Sequence, residues 1–228
     1  MGNIVTQIGS LPYKNVAQAV GYSLKHDIPF LPELPKLGDG MLDYIKSPGR
    51  LSCLAEFKKH KFSTVKIQSV GPATLIMAGY GEEEALQKIY EHIFAIINGL
   101  SAEEIILFLD EPGLGQAGFD FQNLWAAIFQ SFKVVAGIHC CGNMDWDVLF
   151  KSPLIDIISF DAANYDVTIY PCYRNHKRIA WGVEKESDIK DFRKGDLLTL
   201  PCGMSPLKYT ARDCGPELRK LEKYSAKY

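Results

Sequence analysis

In "GIHCCGNMD", residues 137–145, a histidine and two cysteines stand where an apolar run gives out. His139 and Cys141 alternate past the run, so both can face one side while Cys140 faces the other. A nitrogen and a sulfur so placed suit zinc, which takes His, Cys and carboxylate ligands, usually four in tetrahedral array. The rival reading makes His139 a satisfied core histidine and the cysteines small core hydrophobes. Two further residues weigh against it. Asp161 ends the next apolar run, and Cys202 lies at the end of the last one, at matching depth. The set His139, Cys141, Asp161 and Cys202 spreads over three run ends. A structural zinc knuckle brings two close Cys pairs instead. A spread set suits a metal that exchanges a ligand during chemistry. Cys140 reads as packing, and Cys53, Cys172 and Cys214 fall in helical or connecting segments with no evident role.

Other polar residues collect at similar places. Asp110 and Glu111, before Pro112, end an apolar run and read either as a cation-binding pair or as a helix-start signal. Glu33 ends another. Gly9 and Ser10 end the first, where backbone N–H groups can meet an anion or simply make a turn.

The elements that must position these residues are eight runs and the helices between them. The runs are "IVTQIGS" (4–10), "PFLPEL" (29–34), "TVKIQSV" (64–70), "EIILFLDE" (104–111), "VVAGIH" (134–139), "IDIISFD" (155–161), "RIAWGV" (178–183) and "LLTLPCG" (197–203). Most are apolar throughout, as parallel strands covered on both faces should be. Residues 15–27, 82–100 and 216–228 read as helices; the second opens acidic and ends near Gly99, which suits the helix dipole and a C-terminal cap. The link 162–177 is the weakest helix candidate. Eight such units predict an α/β fold, a (β/α)8 TIM barrel with residues 1–228 as a single compact domain. A doubly wound open sheet is the alternative, and no glycine-rich dinucleotide fingerprint follows the first run. In a barrel the chemistry sits at the C-terminal strand ends, where these polar residues gather.

Composition narrows the function classes. Hydrophobic residues make up 47% and charged residues 23%, a globular balance. A net charge of −2 argues against a nucleic-acid surface, and no run is long enough to span a bilayer. The start "MGNIVTQ" fits the N-myristoylation pattern through Gly2 and Thr6, but reads better as a buried strand. It lacks the basic region and apolar core of a signal peptide, so a cytoplasmic protein with metal-binding or catalytic cysteines is expected rather than a disulfide framework.

Taken in order, "TQIGSLP", "GPAT", "LDEPGL", "HCC" and "PCGM" resemble the C-terminal catalytic barrel of cobalamin-independent methionine synthase. The wider group includes the methylcobalamin:coenzyme M methyltransferases and, more distantly, uroporphyrinogen decarboxylase. The resemblance covers nearly the whole chain. It implies zinc-assisted transfer of a methyl group to a thiol, with His139, Cys141 and Cys202 at the family's zinc-ligand positions. Asp161 stands where those synthases carry a glutamate, one methylene longer. Ser10, with the backbone around Ile8 and Gly9, matches the region that holds the homocysteine carboxylate. Asp110 matches the aspartate that holds the amine, and Glu33 the glutamate that also reaches it.

The chain departs from the family on the donor side. The long synthases have an N-terminal barrel that helps bind methyltetrahydrofolate, and this chain is too short to hold both barrels. They carry a tryptophan where this chain has "LIMAGY" and a histidine where it has "GVEKESD". A methylated corrinoid protein is therefore the expected donor and partner, beside a small-molecule thiol. Two other readings stay open. One is a metal-free decarboxylase of the uroporphyrinogen type, although few basic residues stand on the early loops. The other is a non-catalytic metal-binding barrel that keeps the site as a relic.

Overall fold

The apolar runs pair side by side. In the computed structural model, which describes residues 4–116 and 121–228, six of the eight expected strands form ladders. They are β1 (Lys61–Val70), β2 (Ser101–Asp110), β3 (Val135–Cys140), β4 (Ile157–Asp161), β5 (Arg178–Gly182) and β6 (Leu197–Thr199). All pairs are parallel, in chain order β1-β2-β3-β4-β5-β6, and the sheet curls into a half-barrel.

The first two expected strands are extended segments held by isolated bridges. Val5 bridges Leu198, Ser10 bridges Glu33, and Phe30 bridges Lys66. Leu198 N donates to Ile4 O at 2.7 Å, Ile28 N to Val5 O at 3.0 Å, and Lys66 N to Pro29 O at 2.8 Å. The segments thus lie against the two edges of the sheet and against each other. Pro29 and Pro32 bring no N–H to a ladder, which keeps the second segment to single bridges. Gly2, and with it the myristoylation pattern, lies outside the described residues.

Helices α1 (Val16–Ser23), α2 (Met41–Tyr44), α3 (Leu54–Phe57), α4 (Pro72–Met77), α5 (Glu82–Ile97), α6 (Gln122–Phe129), α7 (Asp147–Lys151) and α8 (Ala211–Ser225) fill the connections. Helix α5 buries Ala85, Ile89, His92, Ile93 and Ile96, a stripe at helical spacing, and its first turn is acidic. Helix α8 begins five residues before Pro216, because Thr210 N donates to Asp213 Oδ2 at 2.7 Å and fixes the start earlier. The link between β4 and β5 holds one short 3-10 turn, Val167–Ile169. After that turn, buried Arg174 donates to both carboxylate oxygens of buried Asp196. Among the described residues, no helix is long and apolar enough to cross a membrane.

Apolar packing falls into two bodies. The larger lies between the sheet and the helices and takes Cys140, Trp125 and Trp146. The smaller, with Ile106, Phe108, Ile157 and Leu197 joined by Ile8 and Ile28, fills the hollow of the curled sheet. Its members come from alternate strand positions, so their neighbours two residues on also face inward. That rule sends Asp110, His139, Ser159 and Thr199 above the apolar floor, and Gln68 shares their side of the sheet as the register partner of Phe108.

Candidate metal centre

His139 is the fifth residue of β3, Cys141 lies one residue past that strand, and Cys202 three residues past β6. Their ligand atoms all lie within 4.8 Å of one another. The set runs from buried His139 through half-buried Cys141 to exposed Cys202. One side of the group therefore faces solvent.

The donor set fits zinc. One imidazole nitrogen and two thiol sulfurs are borderline-soft ligands, and three protein ligands with one open position is the catalytic zinc pattern. The imidazole is also posed for it. Nδ1 of His139 lies 2.9 Å from Ser159 Oγ, and the two residues are register partners across β3 and β4. Nε2 is buried and has no hydrogen-bond partner among the described residues. A ring held through one nitrogen with the other left free is how metal-ligating histidines are set.

Asp161 is not in this group. It ends β4, but its carboxylate closes its own turn. Oδ1 accepts from Ala163 N at 3.0 Å and Asn164 N at 3.1 Å, and Oδ2 accepts from Asn164 Nδ2 at 2.7 Å. Cys140 is fully buried in the outer core, on the opposite side of β3. All six cysteines are free thiols.

The residues expected to hold a substrate lie around the same mouth. Ser10 packs on the loop that carries Cys202: a Cβ added at Gly203 would stand 2.7 Å from Ser10 Cβ, so only glycine permits that approach. Gly9 N donates to Gln68 Oε1 at 2.7 Å, and Gly9 O accepts from Glu33 N at 2.8 Å. Ile8 belongs to the apolar floor. Asp110, opposite His139 in the β2–β3 register, accepts from Gln68 Nε2 at 3.0 Å through Oδ2. Asp110 Oδ1 and Glu33 Oε1 are buried and meet no donor among the described residues. Glu111 has a different task. It accepts from Ala73 N, Thr74 N and Trp125 Nε1, capping α4 from the neighbouring strand.

The charges are arranged accordingly. The Cys202 thiol is held well below its ordinary value, first by the hydrogen bond with Cys141 and then by His139. The same shared proton holds Cys141 well above its ordinary value. Burial pushes Asp110 up to about 6, against the opposing pull of His139 and Lys66. Burial, then Asp110, holds Glu33 well above the carboxylate range. Lys66 is brought down to about 8 by burial, with Asp110 and Glu33 resisting.

Ser159, Lys66 and Gln68 escape a reading of the sequence alone. "TVKIQSV" does carry a signal for the last two: a lysine and a glutamine two apart in an apolar run share one face.

No protein-family model matches the chain, and no curated protein matches it. Among solved structures, the chain is similar to a B12-independent methionine synthase from Shewanella sp. W3-18-1, solved in complex with selenomethionine. Identity is 21%, the TM-score is 0.44, and the match covers 71% of this chain and 64% of that one, so this chain spans less than two thirds of the neighbour's length.

Proposed function

We propose that this chain is a zinc-dependent methyltransferase that moves a methyl group to a thiol, homocysteine giving methionine, from a donor other than methyltetrahydrofolate. In this reading residues 1–228 form one (β/α)8 barrel, the two bridged segments completing the six-stranded sheet. The observation that carries the reading is the convergence of His139, Cys141 and Cys202 within 4.8 Å beside two buried, under-bonded carboxylates. A soft three-ligand site next to a cation pocket suits an amino thiol. It suits a sulfonate thiol without an amine poorly.

Zinc, when bound, supplies the Lewis acidity that keeps a substrate thiol deprotonated at neutral pH. His139, Cys141 and Cys202 hold the metal. Asp161 would serve as the fourth or exchangeable ligand if its carboxylate were released from the 161–164 turn. Asp110 and Glu33 take the substrate ammonium. Ser10 takes the carboxylate, while the Gly9 N–H is spent on Gln68. The substrate sulfur forms its bond to the methyl carbon as the bond from carbon to the carrier breaks. The electron pair of that bond leaves with the carrier, so methylcobalt(III) becomes cobalt(I) and no proton is required. The folate nitrogen, by contrast, must be protonated as it leaves. A site without a placed acid forgoes a factor of roughly 10²–10⁴.

Elemental analysis of the purified protein should find one zinc per chain, and Cys202→Ser should strip most of it. Homocysteine with methylcobalamin or a methylated corrinoid protein should then yield methionine, and with methyltetrahydrofolate should not. Turnover with the folate alone sinks the donor assignment. Full zinc retention in the Cys202→Ser protein sinks the ligand set. Zinc without methylation of any thiol favours the relic barrel, and a metal-free protein favours the decarboxylase.

A further inference from the structure

Two polar side chains in the hollow of the sheet have no part in the function just described. Lys66 is 1% exposed and Gln68 3% exposed, both on β1 and both pointing inward, level with Ile106 and Phe108 of the apolar floor in the β1–β2 register. Lys66 Nζ lies 4.8 Å from the centre of the Phe108 ring and donates to Gln68 Oε1 at 2.8 Å. Gln68 Oε1 also accepts from Gly9 N at 2.7 Å, and its Nε2 donates to Asp110 Oδ2 at 3.0 Å. Three of the four hydrogen-bonding positions of this amide group are thus taken, and two of them reach opposite walls of the mouth. One wall is the 8–10 segment. The other is the end of β2.

A buried amide bonded in this way is held in one orientation, since a flip leaves donors facing donors and acceptors facing acceptors. Lys66 fixes which end of the amide faces which wall: its ammonium can only donate, so it requires the oxygen on its own side. The nitrogen is then left to face Asp110. Asp110 Oδ2 is taken by that nitrogen, and Oδ1 is left bare for a ligand. Gly9 is part of the same fit. A Cβ there would stand 2.9 Å from Gln68 Cδ and Nε2, so any side chain would push the amide aside.

We infer that Gln68, oriented by Lys66, is a positioning residue that sets the span between the carboxylate-binding Ser10 wall and the ammonium-binding Asp110 wall, and so selects thiols carrying an α-amino acid group. The inference rests on the amino-thiol reading of the site. It assigns to Gln68 no contact with the reacting sulfur or with the metal. Its chemical content is a coupling. A ligand that engages both walls gains because the walls are held at one distance, whereas a ligand that engages one wall gains nothing from the strut.

Calorimetric titration with three thiols tests this. Homocysteine carries both end groups, 4-mercaptobutyrate lacks the ammonium, and 3-mercaptopropylamine lacks the carboxylate. The zinc-loaded parent should bind homocysteine at least about tenfold more tightly than either analogue, the scale of one charge-assisted hydrogen bond. Gln68→Met should bring homocysteine down to the level of the analogues and shift the analogues by less than about threefold, with zinc content unchanged. Lys66→Met, which leaves Gly9 and Asp110 bonded to the amide, should give a smaller loss in the same pattern, and it serves if Gln68→Met does not fold. An equal loss for all three thiols, or a preference for homocysteine that survives both substitutions, overturns the inference. So does a parent that does not favour homocysteine; methylation of some other thiol by that zinc protein would leave the proposed function standing. The expected binding pattern without methyl transfer would sink the function and keep the strut.

Discussion

Replacing Ser159 with alanine should loosen zinc and leave the fold intact. Ser159 is fully buried on β4, and its Oγ is the partner of His139 Nδ1 at 2.9 Å. For Nε2 to ligate, the ring proton must sit on Nδ1 and be donated to that oxygen. Alanine leaves this N–H without an acceptor. In the metal-free protein the ring can instead carry its proton on Nε2, on the side of the Cys141 and Cys202 sulfurs. Zinc binding forbids that escape, so the penalty falls on the bound state. An unsatisfied buried N–H costs about 1–3 kcal/mol. At 1.4 kcal/mol per decade, zinc affinity should fall by about 5- to 150-fold, bracketing the 10- to 100-fold common for outer-shell partners. Competition against a chromogenic chelator measures the affinity, and a thermal melt shows that the variant folds. A zinc Kd within about twofold of the parent's would refute the reasoning. Tighter binding would mean that the Ser159 hydroxyl donates to Nδ1 and stabilises the wrong tautomer.

Cys140→Ser should keep the full zinc complement, because Cys140 lies in the outer core on the far side of β3; metal loss in that variant would place the thiol in the mouth. Asp110→Asn should raise the KM for homocysteine by about 10- to 150-fold, the worth of a hydrogen bond to a charged group, with zinc unchanged; an unaltered KM removes Asp110 from the substrate site. The buried ring of His92 is lowered to about 4 by burial, against 6.5 when unfolded. Between those values the unfolded chain binds the extra proton, so this residue's contribution is complete above pH 6.5 and is lost as pH falls through 4. The loss amounts to about 3 kcal/mol. Buried Asp110 and Glu33 shift the other way, so the quantity to measure is the difference between parent and His92→Asn in urea melts. That difference should narrow as pH falls from 6.5 to 4, and a constant difference would show that His92 does not carry the effect.

The residues that could be read in advance and those that could not differ in what competes for them. The six ladder strands are buried on both faces over most of their length, so no rival structure buries them as well, and their ends fall where the polar residues gather. The strand-end rule then brings His139, Cys141 and Cys202 to one place, although they come from separate parts of the chain. Asp161 obeys the same rule and is still drawn away. An aspartate followed by two free backbone N–H groups can satisfy them locally, and it does so with Ala163 and Asn164. Glu111 is claimed in the same manner by the start of α4. Short-range hydrogen bonds to backbone therefore sort the strand-end carboxylates into those already engaged and those still free, and pattern alone does not weigh them. Lys66 and Gln68 fail to stand out for the opposite reason. A lysine in an apolar run reads as an edge or surface residue until it is known which strand face lines the hollow. That parity is settled by partners distant in sequence: Gly9 lies 59 residues from Gln68, and Asp110 lies 42. A periodicity of two says that Lys66 and Gln68 share a face, but only the contact with Gly9 and Asp110 says which face it is.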